Sequence, residues 1–226
     1  MKNLALTLAF LPFVAFFIAG CGKTETNTKV TDKTNTTTET SKQNVAGSKE
    51  LKVNTADSEI LWHAEKVVGQ HDGTVKVKQG TINVKDGNIV AGTVEVDLTT
   101  LDNTDLTDAD SKGKLVGHLK SEDFFDVAKF PVSKLEITEV TPIQNAASGQ
   151  PNYTVKGNLT IRGVTKGITF PATLNISDSK VTGTSTFDID RTEFGLKYGS
   201  GKFFEGLGDK MIKDNFTMKF KINAGS

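Results

Sequence analysis

"YTVKGNLTI", residues 153–161, sets Tyr153, Val155, Leu159 and Ile161 on one side of an extended chain, with Gly157 in the same file. Thr154, Lys156, Asn158 and Thr160 fall on the other side. Successive side chains of a strand point to opposite faces, so this stretch has one dry face and one wet face. The same period continues downstream at Phe170, Ala172, Leu174 and Ile176, then at Val181, Phe187 and Ile189, with Gly183 and Ser185 in file. It recurs at Phe216, Met218, Phe220 and Ile222. Upstream it runs through Leu135 and Ile137, and through Val90, Val94, Val96 and Leu98 with Gly92 between them. Val75 and Val77 are out of phase with Ile82 and Val84, and a bulge at Gly80 accounts for the switch. With a first strand around Ile60 and Trp62, about eight strands are expected.

Turn signals separate these runs: "QHDG" at 70–73, "KDGN" at 85–88, "ASGQPN" at 147–152 and "SDSK" at 177–180. No helical pattern of crossover length lies between the strands, so antiparallel pairing is expected. Eight such strands with one apolar face form an up-and-down barrel or a sandwich. Gly92, Gly157, Gly183 and Ser185 in the inward files either leave a cavity or make room for Phe and Trp from across the fold. Composition does not choose between these.

Residues 102–126, "DNTDLTDADSKGKLVGHLKSEDFFD", break the β pattern. Leu115 and Leu119 share a helical face, with Lys114 and His118 on the adjacent one. Gly113 and Gly117 weaken that helix by about 1 kcal/mol each relative to alanine. Ser121 suits the start of a second short turn, and Glu122 and Asp123 suit its positive end. A marginal helical insert between strands 3 and 4 belongs at a barrel rim.

The N-terminal end reads differently. One cation, Lys2, precedes a mainly apolar run from Leu4 to Ile18 that contains Pro12. A spanning helix needs ~20 residues, so the run is expected to be the core of a secretion signal occupying residues 1–20. "Ile18-Ala19-Gly20-Cys21" resembles the bacterial lipobox, which implies cleavage before Cys21 and acylation of its thiol. Cys21 is the only cysteine, so no internal disulfide can form. Residues 22–49 contain nine threonines, no aromatic residue and two valines. Such a segment buries too little apolar surface to offset its ordering entropy. As a coil it would span roughly 30 Å, a disordered tether over 21–49 between lipid and a domain at 50–226. Gly22 stands where an aspartate would favour inner-membrane retention in enteric bacteria. The expected location is therefore the cell envelope, at the outer membrane facing the periplasm or the cell surface if the cell has one.

The whole chain carries 27 basic and 27 acidic residues, and losing the leader removes only Lys2 among them. A near-neutral chain without a basic stripe offers nucleic acid no electrostatic footprint. By the same argument, membrane contact is expected through the lipid anchor only.

Several ordered motifs resemble the YceI family of exported bacterial proteins. They are His118 to Asp126 ("HLKSEDFFD"), Lys129-Phe130-Pro131, Gly157 to Lys166 ("GNLTIRGVTK"), Asp190 to Gly195 ("DRTEFG") and Leu207-Gly208-Asp209. The resemblance covers essentially all of 51–224. It implies an all-β, eight-stranded, lipocalin-like antiparallel barrel that binds a long apolar ligand: a polyisoprenoid, an isoprenoid quinone or a fatty-acid derivative. Asp57-Ser58 stands where many members carry a His-Ser pair, and Lys114 to Gly117 stands where they carry Arg-Asp. The chain looks closer to a lipoprotein branch carrying "Trp62…Lys66-Val67…Gly69…His71".

Within that fold the expected cavity lining is Trp62, Val94, Val96, Leu135, Ile137, Phe170, Leu174 and Phe187, with His71, His118, Phe124, Phe125 and Arg191 at the rim or lid. His118 has acids nearby, yet no Ser or Cys nucleophile has a spacing that demands it. It reads as a histidine tying the cap to the rim, so "HLKSEDFFDVAKFP" at 118–131 is a lid and not a catalytic cluster. His63 and His71 share strand parity, but along one straight strand they would stand roughly 26 Å apart. Neither His-x-His nor HExxH occurs, so no metal is expected. "GLKYGSGKFFEG", 195–206, lacks the spacing and the hydroxyl residue of a phosphate loop and reads as a flexible Gly-rich connection. Arg191 is expected to serve structure before headgroup binding. No catalytic residue and no cofactor are assigned. The two competing readings are a packed barrel that presents loops to a partner, and an enzyme using His118 or His71 on a small lipid or quinone.

Overall fold

The computed structural model describes residues 45–225. The expected leader over residues 1–20, Cys21 and most of the Thr-rich segment lie outside the described residues. Nine strands form a single antiparallel sheet: β1 (Lys49–Val53), β2 (Glu59–Lys66), β3 (Gln70–Lys85), β4 (Asn88–Asn103), β5 (Val132–Pro142), β6 (Tyr153–Ile161), β7 (Val164–Ser177), β8 (Lys180–Asp190) and β9 (Ile212–Gly225). One helix, α1 (Ala109–Lys120), separates β4 from β5.

The sheet closes on itself, because β2 pairs with both β3 and β9 while β3 also pairs with β4. β1 and β2 share one position in the ring. β1 pairs with Thr81–Val84 of β3 and Ala224–Gly225 of β9, whereas β2 pairs further along the same two strands. The result is an eight-position barrel whose first strand is split. The break falls at Asn54, whose side-chain oxygen accepts from the backbone N–H groups of Ala56 and Asp57 at 3.0 and 3.2 Å. Asp57-Ser58 thus lies in the break and not within a strand. Leu51 and Val53 of β1 are buried, so this short strand carries the expected alternation although the count from Ile60 omits it. Including it moves the helix from between strands three and four to between β4 and β5, at the same place in the chain.

Two ends result. At the closed end lie the Asp86-Gly87 and Asp178-Ser179 hairpins and the 143–152 loop. Asp86 and Gly87 have φ of 51° and 71°, the pair of left-handed residues that a two-residue hairpin of matching twist requires. At the open end lie the 67–69 turn, the Arg162-Gly163 hairpin and the two long connections, 104–131 and 191–211. The first hairpin therefore turns at Val67-Val68-Gly69 and not at "QHDG", whose residues belong to β3.

Bulges explain the phase changes along β3 and β4. Val77 pairs with Val96 and Gln79 with Glu95, so Lys78 is the extra residue, two positions before Gly80. Val84 pairs with Ile89 and Asn83 with Ala91, which leaves Val90 as a second extra residue. Ile89 is consequently the buried residue there, and Val90 is not.

α1 starts at Asp108, whose carboxylate accepts from the Ser111 N–H at 2.8 Å, an N-cap absent from the sequence reading. No residue of α1 is fully buried. It is tied down by Lys112 to Asp102 at 2.9 Å and by Lys120 Nζ to the Thr99 carbonyl at 2.7 Å. Ser121 both ends the helix, donating to the His118 carbonyl, and starts the next turn by accepting from the Asp123 N–H.

Candidate functional site

The barrel interior is hollow. A chamber of about 660 Å³ occupies the open end, and a second of about 130 Å³ continues toward the closed end. Val96, Ser133, Leu159, Ile189 and Met218 border both, so these five side chains form a waist between them. The inner chamber is lined almost wholly by apolar groups, including Val94, Leu135, Ile137, Phe170, Leu174 and Phe187. Phe170 and Phe187 stack at 4.3 Å between ring centroids, and Phe220 meets both edge-on.

The small residues in the inward files have separate tasks. A Cβ on Gly73 would lie 2.1 Å from the Asp102 carbonyl oxygen and 2.3 Å from the Trp62 ring, so the indole rests directly against that strand. A Cβ on Gly183 would lie 2.7 Å from Leu174 Cδ2. Leu135, Ile137, Leu159, Phe216, Met218 and Phe220 are only partly buried although they point inward. They are uncovered because the space between opposite walls is not filled by side chains.

All eight expected cavity residues border one chamber or the other: Trp62 the larger, Val96 both, and the remaining six the smaller. His71, His118, Phe124, Phe125 and Arg191 all border the larger chamber. Tyr198, Leu196 and Phe216 also border it and were not anticipated as site residues. Phe216 was legible from its strand parity. Leu196 and Tyr198 sit in an aperiodic Gly-rich segment that gives no such signal.

That segment is folded and not a loose connection. Arg191, 4% exposed, donates to four backbone carbonyls: Leu196 at 2.7 Å, Tyr198 at 2.9 Å, Lys213 at 3.0 Å and Ile212 at 3.1 Å. Burial pulls the Arg191 pKa down, and the Asp214 and Asp190 carboxylates act against that. Its donors are committed to the chain and not to the chamber. Asp190 tethers the same segment by accepting from Lys202 Nζ at 2.7 Å and from the Thr192 N–H. Burial opposes its charge, but these donors outweigh it and hold its pKa below the ordinary value.

The lid is built around His118. Its ring meets Phe124 edge-on at 5.0 Å and Tyr198 edge-on at 4.6 Å, and Nε2 lies 3.2 Å from Asp123 Oδ2. The histidine thus joins α1, the turn after it and the 191–211 segment. Phe124 is buried and Phe125 partly so, and both close the top of the chamber.

His71 takes the other side of the mouth, with Nδ1 2.9 Å from Asp105 Oδ2. Burial alone would raise the Asp105 pKa. The Asp72 N–H, His71 and the Asn103 amide together overcome that and hold it at about 2. His63 is near His71 in space because the chain turns at 67–69, so the straight-strand separation does not apply. His63 pairs with Asp72 and His71 with Ala64, one register apart, which puts the two rings on opposite faces of the sheet. Among the described residues no group of three His, Cys, Asp or Glu is placed to hold a metal. Trp62 Nε1 and Ser133 Oγ are buried without a hydrogen-bond partner among the described residues.

An antiparallel eight-position barrel is of the size whose interior is either filled by side chains or left with room for one small ligand, and here it is hollow. The chain belongs to the YceI-like domain family, which it matches over residues 51–224. A UPF0312 protein of Pseudomonas putida (strain W619) is 35% identical over 86 residues, 35% of this chain and 42% of that protein. One of Pseudomonas fluorescens (strain SBW25) is 45% identical over 58 residues, 26% of this chain and 28% of that protein. The chain therefore matches less than half the length of these curated relatives. Among solved structures, BcnA of Burkholderia cenocepacia superposes with a TM-score of 0.58 at 20% identity, covering 76% of this chain and 98% of that one. A polyisoprenoid-binding domain from Saccharophagus degradans superposes with a TM-score of 0.53 at 13% identity, covering 78% and 98%. These two likenesses concern the fold.

Proposed function

We propose that the barrel holds a long apolar ligand, a polyisoprenoid, isoprenoid quinone or fatty-acid derivative, and carries or sequesters it beside a membrane. The observation that carries this reading is the incompletely covered inward face: Leu135, Ile137, Leu159, Met218 and Phe220 point into the barrel, line its inner chamber and are only partly buried. A chamber of about 660 Å³ with a further 130 Å³ beyond the waist falls in the ~300–1,000 Å³ range of small-molecule sites. Covering such walls is worth about 25 cal/mol per Å² of apolar surface removed from water. The polyisoprenoid-binding domain of Saccharophagus degradans, which shares the fold, supports the ligand class. Acylation of Cys21 after export would tether the barrel at the cell envelope, through a leader that ends at Gly20. The polar groups at the mouth, His71 and His118, would then meet the ligand's headgroup, and no catalytic step is assigned to them.

Native mass spectrometry on the chain from Gly22 onward tests this reading. The expected result is a discrete added mass that extracts into organic solvent, or that appears after incubation with isoprenoid quinones or fatty-acid derivatives. A bare mass under both conditions would sink it in favour of a barrel that works through its surface.

A further inference from the structure

Among the described residues, eight large hydrophobic side chains are exposed, and seven of them stand at the open end of the barrel: Val67, Val68, Val164, Tyr198, Phe203, Phe204 and Met211. Only Ile143 is at the closed end. Six of the seven form one collar. The Val67 N–H donates to the Met211 carbonyl at 3.0 Å, joining the 67–69 turn to the start of β9. A Cβ on Gly201 would lie 2.8 Å from Met211 Sδ, so the turn bearing Phe203 and Phe204 rests on that methionine. Tyr198, three residues before Gly201, borders the large chamber, as do Val68, Lys66 and Lys210. The collar and the chamber therefore share an edge, and the apolar interior opens onto the apolar exterior between the 67–69 turn and the 198–211 segment.

We propose that this collar is a membrane-docking surface, by which the barrel seats mouth-down on a phospholipid bilayer and passes its ligand without exposing it to water. The inference rests on the lipid-carrying reading for its purpose, though not for its geometry. Among the described residues Phe203 and Phe204 are 45% and 49% exposed and Val68 is 62% exposed, a cost in water that contact with an apolar phase would offset. Aromatic side chains flanked by lysines match a bilayer interface, where rings sit at headgroup depth and ammonium groups reach outward. Here Lys197 Nζ lies 4.7 Å from the Phe203 ring centroid, and Lys66 and Lys210 flank the opening. Residues 65–69 and 195–213 carry five lysines against Glu65, Glu205 and Asp209, a net charge of +2. Apolar insertion therefore supplies the main attraction, and anionic lipid adds to it without being required.

The chain enters at the end away from the collar, and this permits the same orientation without favouring it. Val45 to Ser48 lie beside the closed end, where Lys85 Nζ donates to the Ala46 carbonyl at 3.1 Å. A barrel with 16-residue strands tilted by about 40° stands roughly 40 Å tall. Twenty-three residues lie between Cys21 and Val45, and the segment reaches at most ~80 Å. An anchor at Cys21 thus leaves enough chain to turn the mouth toward the membrane, and the collar selects that end over the polar hairpins.

The test uses the full chain as the cell processes it, reconstituted on phosphatidylcholine vesicles containing brominated lipid. An environment-sensitive fluorophore is attached at Glu205→Cys at the open end or at Ser179→Cys at the closed end, with the unsubstituted chain as the labelling control. The expected result is a blue-shifted, bromine-quenched probe at 205 and an unaffected probe at 179. Phe203→Ser and Phe204→Ser, each added to the 205 variant, should lower the docked-to-undocked ratio about tenfold apiece, from half-buried apolar area. Equal quenching at both sites, or none at either, overturns the proposal. So does a concentration-dependent shift at 205 without vesicles, which would mean that a second copy covers the collar. Mass spectrometry of lipid bound to the same samples separates the two readings. Docking by an empty barrel supports the collar and counts against the carrier, whereas a loaded barrel that does not dock counts against the collar alone.

Discussion

Arg162 reaches across the open end to Glu122, donating from Nη2 to its backbone carbonyl at 2.8 Å while Nη1 donates to the Gly195 carbonyl at 3.3 Å. One side chain on the β6–β7 hairpin therefore holds both covers of the chamber, the turn after α1 and the segment after β8. The hairpin is shaped for this: Arg162 and Gly163 have φ of 49° and 74°, and a Cβ on Gly163 would lie 2.9 Å from the Phe130 ring. Three separated motifs, around Phe124, Arg162 and Phe194, thus meet at a single joint.

Replacing Arg162 with Leu should loosen the covers without unfolding the barrel. Amide exchange is expected to accelerate in 121–127 and 192–197, at a stability cost of about 1 kcal/mol, as for a hydrogen-bonded group that stays partly solvated. Arg191→Met should behave differently, because its donors serve four carbonyls from a buried site. A loss of about 3 kcal/mol by urea titration is expected there. If the two variants lost equal stability, the distinction between a surface brace and a buried clamp would be wrong.

Stability in acid should depend on Asp105. Its pKa in the folded chain is about 2, below the ordinary 3.8, because hydrogen bonds from Asp72, His71 and Asn103 outweigh the effect of burial. A depressed carboxyl contributes fully above its unfolded value, and the contribution is lost as pH falls from 3.8 toward 2. Asp105→Asn should therefore flatten the acid limb of a plot of urea midpoint against pH and change its slope little near neutrality. His63 has the opposite sign: its hydrogen bond to Asp72 raises its pKa above 6.5, so its contribution is held in acid and lost as pH rises through that value. His63→Gln should lower the midpoint below neutrality and leave it unchanged in alkali.

The barrel was legible because one inward face recurs in β6, β7, β8 and β9, where no bulge interrupts the pairing of β6 with β7 or of β8 with β9. β3 and β4 were harder. One extra residue reverses every side chain beyond it, so Lys78 and Val90 shift the parity that the pattern counts. The walls of the site follow from parity, and the lid aromatics from a motif. Hollowness does not follow, since it depends on whether facing side chains meet across the ring, and the small residues in the files suit either outcome. Tyr198 and Leu196 were invisible for another reason. They are placed by Arg191 binding backbone carbonyls, and carbonyls carry no residue identity.

The helix α1 carries two glycines that packing does not require. A Cβ at Gly113 or Gly117 would meet nothing within 4 Å. Gly113→Ala and Gly117→Ala should each stabilise the helix by about 1 kcal/mol through backbone entropy alone. Amide exchange over Ala109–Lys120 should slow accordingly. If ligand must pass the lid, the double variant should also load and release it more slowly at unchanged equilibrium occupancy. Unaltered exchange rates in the helix would show that its ties at Lys112 and Lys120, and not its propensity, set its opening.

Leu174 tests whether the inner chamber matters to binding. It is buried on β7, borders the 130 Å³ space and touches the gap left by Gly183. Leu174→Trp would place an indole in that space, at an overpacking cost of about 1–3 kcal/mol that leaves the barrel folded. The outer chamber, beyond the waist at Val96 and Met218, would keep its volume. A ligand long enough to thread the waist should then lose occupancy, while a shorter one confined to the outer chamber should not. Isoprenoid quinones of graded tail length, scored by native mass spectrometry, are expected to show affinity that rises with tail length in the unsubstituted chain and stops rising in the variant. Identical length dependence in the two proteins would place the ligand wholly in the outer chamber and remove Phe170, Leu174 and Phe187 from its binding site.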